Sequence, residues 1–403
     1  MNTSPRLVSY AHDLESAARL ISAGAEHLVI DDPRLSIRSW APPRNDDFSY
    51  LKKLAEDIQR LAPTVSLSLN LDGLYRDRQL PLVSAAIQAA ADAQFSAIRV
   101  MDAGLGPLIR RLAPAIKLEL ATEMGNCSLP AIALHQSEGF QHQVCSNDWP
   151  FEDLAALRDA QLIAMEILVH GPVLLQYSDR RQLSAQSQPN GDPDALPATN
   201  LQTVVIDGRP YPFSDSRHGT IMYNTFDRCL YPHGEKLCAL NLHSWLIDGR
   251  GQHPDYAVLA LRAFAGLRDA QTTGAVVDGT YWEQLRACGE RPFKPGFFLA
   301  NNTDHCFDDV VQEQQAVEVV AEVIDVMRGN ALTLLVRQPF AQTDDNLLFC
   351  TPEGRVSSLD LSQLRDHNDC PLTSAEPDMI IRLPWVKGAI PASTLQRPST
   401  APL

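Results

Sequence analysis

From Arg6 to Ala270 the chain repeats one grammar: a short β-branched or apolar run, a polar break, then an amphipathic stretch. Runs suited to strands lie at Arg6–Tyr10, His27–Asp31, Val65–Asn70, Ala97–Asp102, Ile116–Ala121, Gln143–Cys145 and Leu162–Val169. Between them, Leu14–Ala25, Tyr50–Leu61, Leu80–Ala93, Gly106–Leu112, Leu129–Glu138 and Phe151–Asp159 are read as helices with one apolar face, their apolar residues recurring three or four apart. Asp13 stands where it can cap the first of them. An eighth unit runs from Ser244–Ile247 into His253–Ala270. Eight such repeats predict an α/β chain of the closed (β/α)8, TIM-like barrel class. An open doubly wound sheet is the competitor, but no strand runs into the Gly-x-Gly-x-x-Gly turn of the dinucleotide-binding kind.

The pattern breaks twice. Ser184–Thr199 is rich in Ser, Pro, Asn and Asp with almost no apolar periodicity, and reads as a mobile excursion. Thr203–Tyr223 follows as two or three short strands, so a β insert is expected over about 182–238 of a barrel domain spanning 1–305. Beyond Asp304 apolar and polar residues alternate, with turns at Arg328-Gly329-Asn330 and Pro352-Glu353-Gly354. A small antiparallel β-barrel domain is expected over 315–388, and a disordered Pro- and Ser-rich tail over 389–403.

The chain of 403 residues carries a net charge of −15, which disfavours broad nucleic-acid binding, because phosphate contacts need clustered Lys and Arg. A local basic pocket is compatible with that balance. No apolar run approaches the roughly 20 residues of a membrane helix, and acidic residues come too early for a signal peptide. The eight cysteines (127, 145, 229, 238, 288, 306, 350 and 370) form no Cys-x-x-Cys pair. They read as reduced thiols of a cytoplasmic protein.

Met165–Arg181 holds Glu166, His170, Gly171, Tyr177, Ser178 and Arg180 in a Glu-x-x-x-His-Gly strand running into a Tyr-Ser-x-Arg turn. Other matching pieces are Thr122, Met124 and Asn126; His218-Gly219 with Asn224, Asp227 and Cys229; Asp248-Gly249-Arg250 with Tyr256; and Arg291-Pro292-Phe293 with Gly296-Phe297. In this order they resemble the motifs of the collagenase-like peptidase family, peptidase family U32, over roughly residues 20–385. The resemblance implies a barrel with an appended β domain. It also implies chemistry of two kinds: a nominal peptidase activity, and oxygen-independent hydroxylation of a quinone precursor or of tRNA or rRNA bases on a four-iron–four-sulfur cluster. The family's cysteine places in the first segment hold Leu174 and Arg181 here, leaving Cys229 at one ligand place. An iron–sulfur cluster is therefore not expected, and no cofactor is predicted. The strand end Ser146-Asn147-Asp148-Trp149 also departs from the family's Ser-Arg-Glu-Leu.

In a βα barrel the C-terminal strand ends carry the active site. Polar residues there include Asp31, Asp32, Asn70, Asp72, Asp102 and Asp148. His170 is expected as general base with Glu166 or Glu123 to orient it, giving a catalytic set of His170, Glu166 and Glu123. Arg38, Asn126, Arg180, His218, Asp248 and Arg250 are expected to bind substrate, the arginines by bidentate contacts to an anion. Each has a plain structural alternative: a core carboxylate, a turn histidine, an ion-pair partner. Ser178 lacks a nucleophile elbow, and no histidine spacing signals a metal. The leading expectation is a peptidase-like hydrolase of unknown substrate. The alternatives are a cluster-less relative of the hydroxylation proteins, acting in a hetero-oligomer with a cluster-bearing paralogue, and a non-catalytic binding protein.

Overall fold

The computed structural model describes residues 4–38, 47–125, 128–180, 182–183, 200–206, 209–216, 218–299, 317–352 and 355–398. Strands β1 (Arg6–Ala11), β2 (His27–Ile30), β3 (Ser66–Leu71), β4 (Ala97–Val100), β5 (Lys117–Ala121), β6 (Phe140–Val144) and β7 (Ala164–Ser178) pair in parallel, each with the next. An insert follows: β8 (Asn200–Ile206), β9 (Arg209–Ser216) and β10 (Gly219–Cys229). Strand β11 (Ser244–Ile247) pairs in parallel with β7 on one side and β1 on the other, which closes an eight-stranded barrel. Helices α1 (Leu14–Ser22), α2 (Tyr50–Leu61), α3 (Leu80–Asp92), α4 (Gly106–Leu112), α5 (Leu129–Ser137) and α6 (Phe151–Asp159) carry the returns between strands. After the insert come α7 (Gly234–Ala239), α8 (Pro254–Thr273), α9 (Thr280–Cys288) and the short strand β12 (Phe293–Lys294), which pairs with β10.

Local chemistry explains the boundaries. The Asp13 carboxylate accepts from the Ser16 amide at 2.8 Å while Ser16 Oγ accepts from the Asp13 amide, a reciprocal cap that starts α1. Alternation sorts the strand residues. Val8, Val29, Val144, Leu168 and Leu246 meet one another across the lumen, while Leu7, Leu28, Ile30, Ile98 and Ile167 join the larger core with the helices.

Strand β7 is 15 residues long because it changes partners along its length within one continuous sheet. Its first half lies in the barrel; beyond His170 it pairs antiparallel with β10. Gly171 is the pivot, at φ +139°, and a Cβ there would stand 2.3 Å from the Asp248 carbonyl oxygen. Only glycine fits. The insert is the expected run of antiparallel strands, β8 on β9 on β10. The excursion at 184–199 lies outside the described residues.

The chain divides into two compact units, Met1–Asn301 and Asn302–Leu403. The second is antiparallel β: strands at Val317–Met327, Ala331–Val336, Leu348–Cys350, Val356–Ser358, Ile380–Pro384 and Thr394–Pro398, with shorter ones, enclose Val320, Leu334, Phe349, Ile381 and Leu395. One expectation is corrected here. Thr394–Pro398, assigned to the disordered tail, is a strand inserted between Val317–Met327 and Leu348–Cys350. The Pro- and Ser-rich composition hid a short strand in which Leu395 is buried and Arg397, half-buried, pairs with Glu318 at 2.7 Å. Among the described residues no helix is long and apolar enough to cross a membrane.

Candidate functional site

The residues that follow the strands on their C-terminal side converge on a buried charged cluster. Arg38, in the loop after β2, donates from Nη2 and Nη1 to the two Glu123 oxygens at 2.7 and 3.1 Å, with Asp248 at 3.5 Å and Asp72 at 3.8 Å. Arg250 grips Asp248 through Nε and Nη2 at 3.0 and 2.8 Å, and its Nη1 reaches Asp31 at 3.2 Å. The Arg250 guanidinium lies 3.4 Å from the centre of the Tyr10 ring, a contact that covers its flat face. Asn70 donates to Asp31 at 2.7 Å, and the Ile37 amide donates to Asp72 at 2.8 Å.

Burial and charge set the protonation of this cluster. Burial raises the Asp31 carboxyl above the ordinary range, Arg250 pulling against it. Asp248 is pushed up by burial too, but Arg250 and then Arg38 outweigh it, so that carboxyl is held low. Two guanidiniums thus face four carboxylates, Asp31, Asp72, Glu123 and Asp248. Next to them lies a cavity of about 330 Å³ lined by Arg38, Asp72 and Glu123 together with Met101, Leu174 and Tyr177. Arg38 Nε and Asp72 Oδ2 have no hydrogen-bond partner among the described residues.

A second charged layer lies toward the N-terminal ends of the strands. Arg99 donates Nε to Glu119 at 3.0 Å and places Nη1 2.8 Å from Glu166. Ser68 bridges His27 and Glu119, and Ser244 donates to Glu166 at 3.0 Å and meets His142 Nε2 at 3.0 Å. Burial lowers both histidines, His27 to about 4, so they are neutral at neutral pH.

The expected site residues therefore separate. Arg38, Glu123, Asp248 and Arg250 meet at the mouth. Glu166 does not: it belongs to the lower layer, on the opposite side of the apolar lumen residue Leu168. His170 is not at the mouth either. A bulge in the β7–β11 pairing, where Leu246 faces Leu168 but Ile247 faces His170, turns the imidazole toward α8. There it stacks on Tyr256 at 4.7 Å and meets Phe293 edge-on at 4.9 Å. Neither ring nitrogen has a partner among the described residues, and burial lowers its pKa to about 3. The geometry thus lends no support to His170 as a general base with Glu166 or Glu123 behind it. His218 ties the insert to the loop after β2 through Nε2 and the Pro33 carbonyl, 3.0 Å apart. Arg180 is exposed, and its backbone holds the turn against Ser178 and Thr220. Asp32 turns to Arg34 and Tyr50, and Asp102 caps the turn at Gly104. Asn126 and Arg181 lie outside the described residues.

Sequence reasoning missed Tyr10 and the lower-layer residues Arg99, Glu119 and His142. In the structure Arg99, Glu119, His142 and Glu166 are each the third residue of four successive strands, a shared level that the strand bounds read from sequence did not reveal, since they left His142 outside its strand.

A family model for peptidase family U32 matches residues 12–306. The chain belongs to that family. Within it, the chain is 21% identical over 408 residues to tRNA hydroxylation protein P of Escherichia coli, spanning 88% of this chain and 87% of the relative. The Haemophilus influenzae protein of the same name is 22% identical over the same spans. A tRNA hydroxylation protein of Bacillus subtilis is 20% identical over 415 residues, 98% of this chain and 94% of the relative.

Among the described residues, the places matched to the U32 cluster ligands hold one aliphatic side chain, Leu174, and one thiol, Cys229. Leu174 packs against Ile37, Ile221 and Tyr223. Burial pushes the Cys229 thiol up to about 12.

Proposed function

We propose that this chain is the substrate-binding member of a cytoplasmic, oxygen-independent tRNA base hydroxylation system, with a cluster-bearing relative supplying the redox chemistry. The observation that carries this reading is a charged donor and acceptor at the mouth, close to each other but with no hydrogen-bond partner among the described residues. Arg38 Nε and Asp72 Oδ2 stand 3.8 Å apart, beside a cavity with the apolar walls Ile37, Met101 and Leu174. A uracil-type edge offers the complement, a ring carbonyl for the guanidinium and a ring N–H for the carboxylate. An extruded base is read by such edge contacts between apolar and aromatic walls. The similarity to tRNA hydroxylation proteins supports the substrate class.

The hydrolase reading has less behind it. Acyl transfer needs an activated nucleophile, and the Cys229 thiol is buried and protonated. The Ser244–His142–Glu166 group is not a relay, because Glu166 approaches the same Nε2 that faces Ser244.

The test is nucleoside mass spectrometry of tRNA from cells lacking this chain. A hydroxylated nucleoside is expected to fall, to return with the wild-type chain, and to stay low with Arg38→Met. An unchanged nucleoside profile on deletion sinks the proposal. Turnover of a fluorogenic peptide that disappears in Glu123→Gln would put the hydrolase in its place.

A further inference from the structure

Adjacent residues of β7 open onto different cavities. Leu174 lines the mouth, whereas Val173 and Leu175 line a separate cavity of about 930 Å³. Its charged lining is Arg209, Arg228, Lys294 and Asp148, and its aromatic lining is Tyr211, Phe226 and Phe297. Three cations against one carboxylate is an unusual balance for a chain of net charge −15.

Arg228 is the informative member. It is 1% exposed, and Nη1 donates to the Asn147 side-chain oxygen at 2.9 Å. Its Nε and Nη2 have no hydrogen-bond partner among the described residues. The other buried arginines are built differently, since Arg38, Arg99 and Arg250 each have a carboxylate oxygen within 2.8 Å. Burial draws the Arg228 guanidinium down to about 10, with Asp148 opposing. A buried cation with two idle N–H donors is expensive to keep unless something brings an anion to it.

The surroundings narrow the anion. Lys294 is exposed, with Nζ 5.5 Å from the centre of the Phe226 ring, and Phe226 and Phe297 are half-buried. Cations beside partly open aromatic faces are the combination that holds a single-stranded nucleic acid: phosphate on the charges, base on the ring. The volume falls within the roughly 300–1,000 Å³ of ligand sites. We propose that this cavity binds a phosphate and its base from single-stranded RNA, with Arg228, Lys294 and Arg209 on the phosphate. It is a second contact, apart from the barrel mouth, and rests on the tRNA reading only for the source of the strand.

The test is fluorescence anisotropy of the full chain with a labelled seven-nucleotide single-stranded RNA, across a salt series. Lys294→Glu and Arg228→Met are each expected to weaken binding by roughly tenfold or more and to lower the slope of log K against log salt by about 0.7 per lost contact. Lys294 is exposed, so its variant tests the site even if Arg228→Met fails to fold. Equal affinity in wild type and Lys294→Glu overturns the proposal and spares the mouth, which the tRNA nucleoside assay scores separately. A nucleoside monophosphate that binds as tightly as the heptamer overturns the RNA assignment in favour of a free nucleotide. Heptamer binding that depends on Lys294 stands even if no tRNA nucleoside changes.

Discussion

The two charged layers inside the barrel use the same side chains to opposite ends. In the lower layer one guanidinium, Arg99, sits between two carboxylates, with neutral histidines and serines filling the remaining directions. All its members come from within strands. In the mouth two guanidiniums share four carboxylates, the members come largely from the loops after the strands, and a cavity adjoins them. The lesson is about position. A buried Arg–Glu pair in mid-strand braces a barrel, whereas the same pair just past the strand end lines the place where ligands enter.

The largest expected effect breaks the lower layer. Arg99→Met leaves Glu119 and Glu166 buried without their cation, which costs about 3–5 kcal/mol. Urea unfolding of the full chain measures it; a loss below about 1 kcal/mol would erase the distinction between the layers. A smaller effect is expected at the mouth. Glu123→Gln leaves Arg38 with Asp248 at 3.5 Å and Asp72 at 3.8 Å, and it relieves carboxylate crowding. The cost there is about 1–2 kcal/mol, and a larger one would mean that the mouth is as finely balanced as the layer below it.

The smallest effect at neutral pH is expected from His170→Phe, which keeps an aromatic ring against Tyr256 and Phe293. Its signature lies in acid. The folded-state pKa of His170 is lowered to about 3, so below the unfolded value near 6.5 the unfolded chain takes up a proton that the folded chain refuses. His170 therefore withdraws stability as pH falls from 6.5 toward 3, by about 1.4 kcal/mol per pH unit. The phenylalanine variant removes that share of the slope. Abolished tRNA hydroxylation in a stably folded His170→Phe chain would instead restore a catalytic role for the imidazole.

Much of this molecule was legible beforehand, for reasons visible in particular residues. The run from Ser244 through Ala270 reads as strand, loop and helix, and it is the unit that closes the barrel. Asp31, Asp72, Glu123, Asp248 and Arg250 follow strand ends, and the fold brings them together because all such ends of a parallel barrel face one way. Glu166 and His170 misled because both lie in one strand that passes from barrel to ribbon. A single bulge there changes which face a residue meets.

The alternation of apolar runs and helical periods by itself determined the barrel, the insert and the β unit, because those patterns are local and each element buries the face its own spacing creates. Which charges meet was decided only by tertiary structure. Arg38 and Glu123, Arg99 and Glu166, and Arg228 with its idle donors are set by strands far apart in the chain. No local period records whether a buried charge will find its counter-ion.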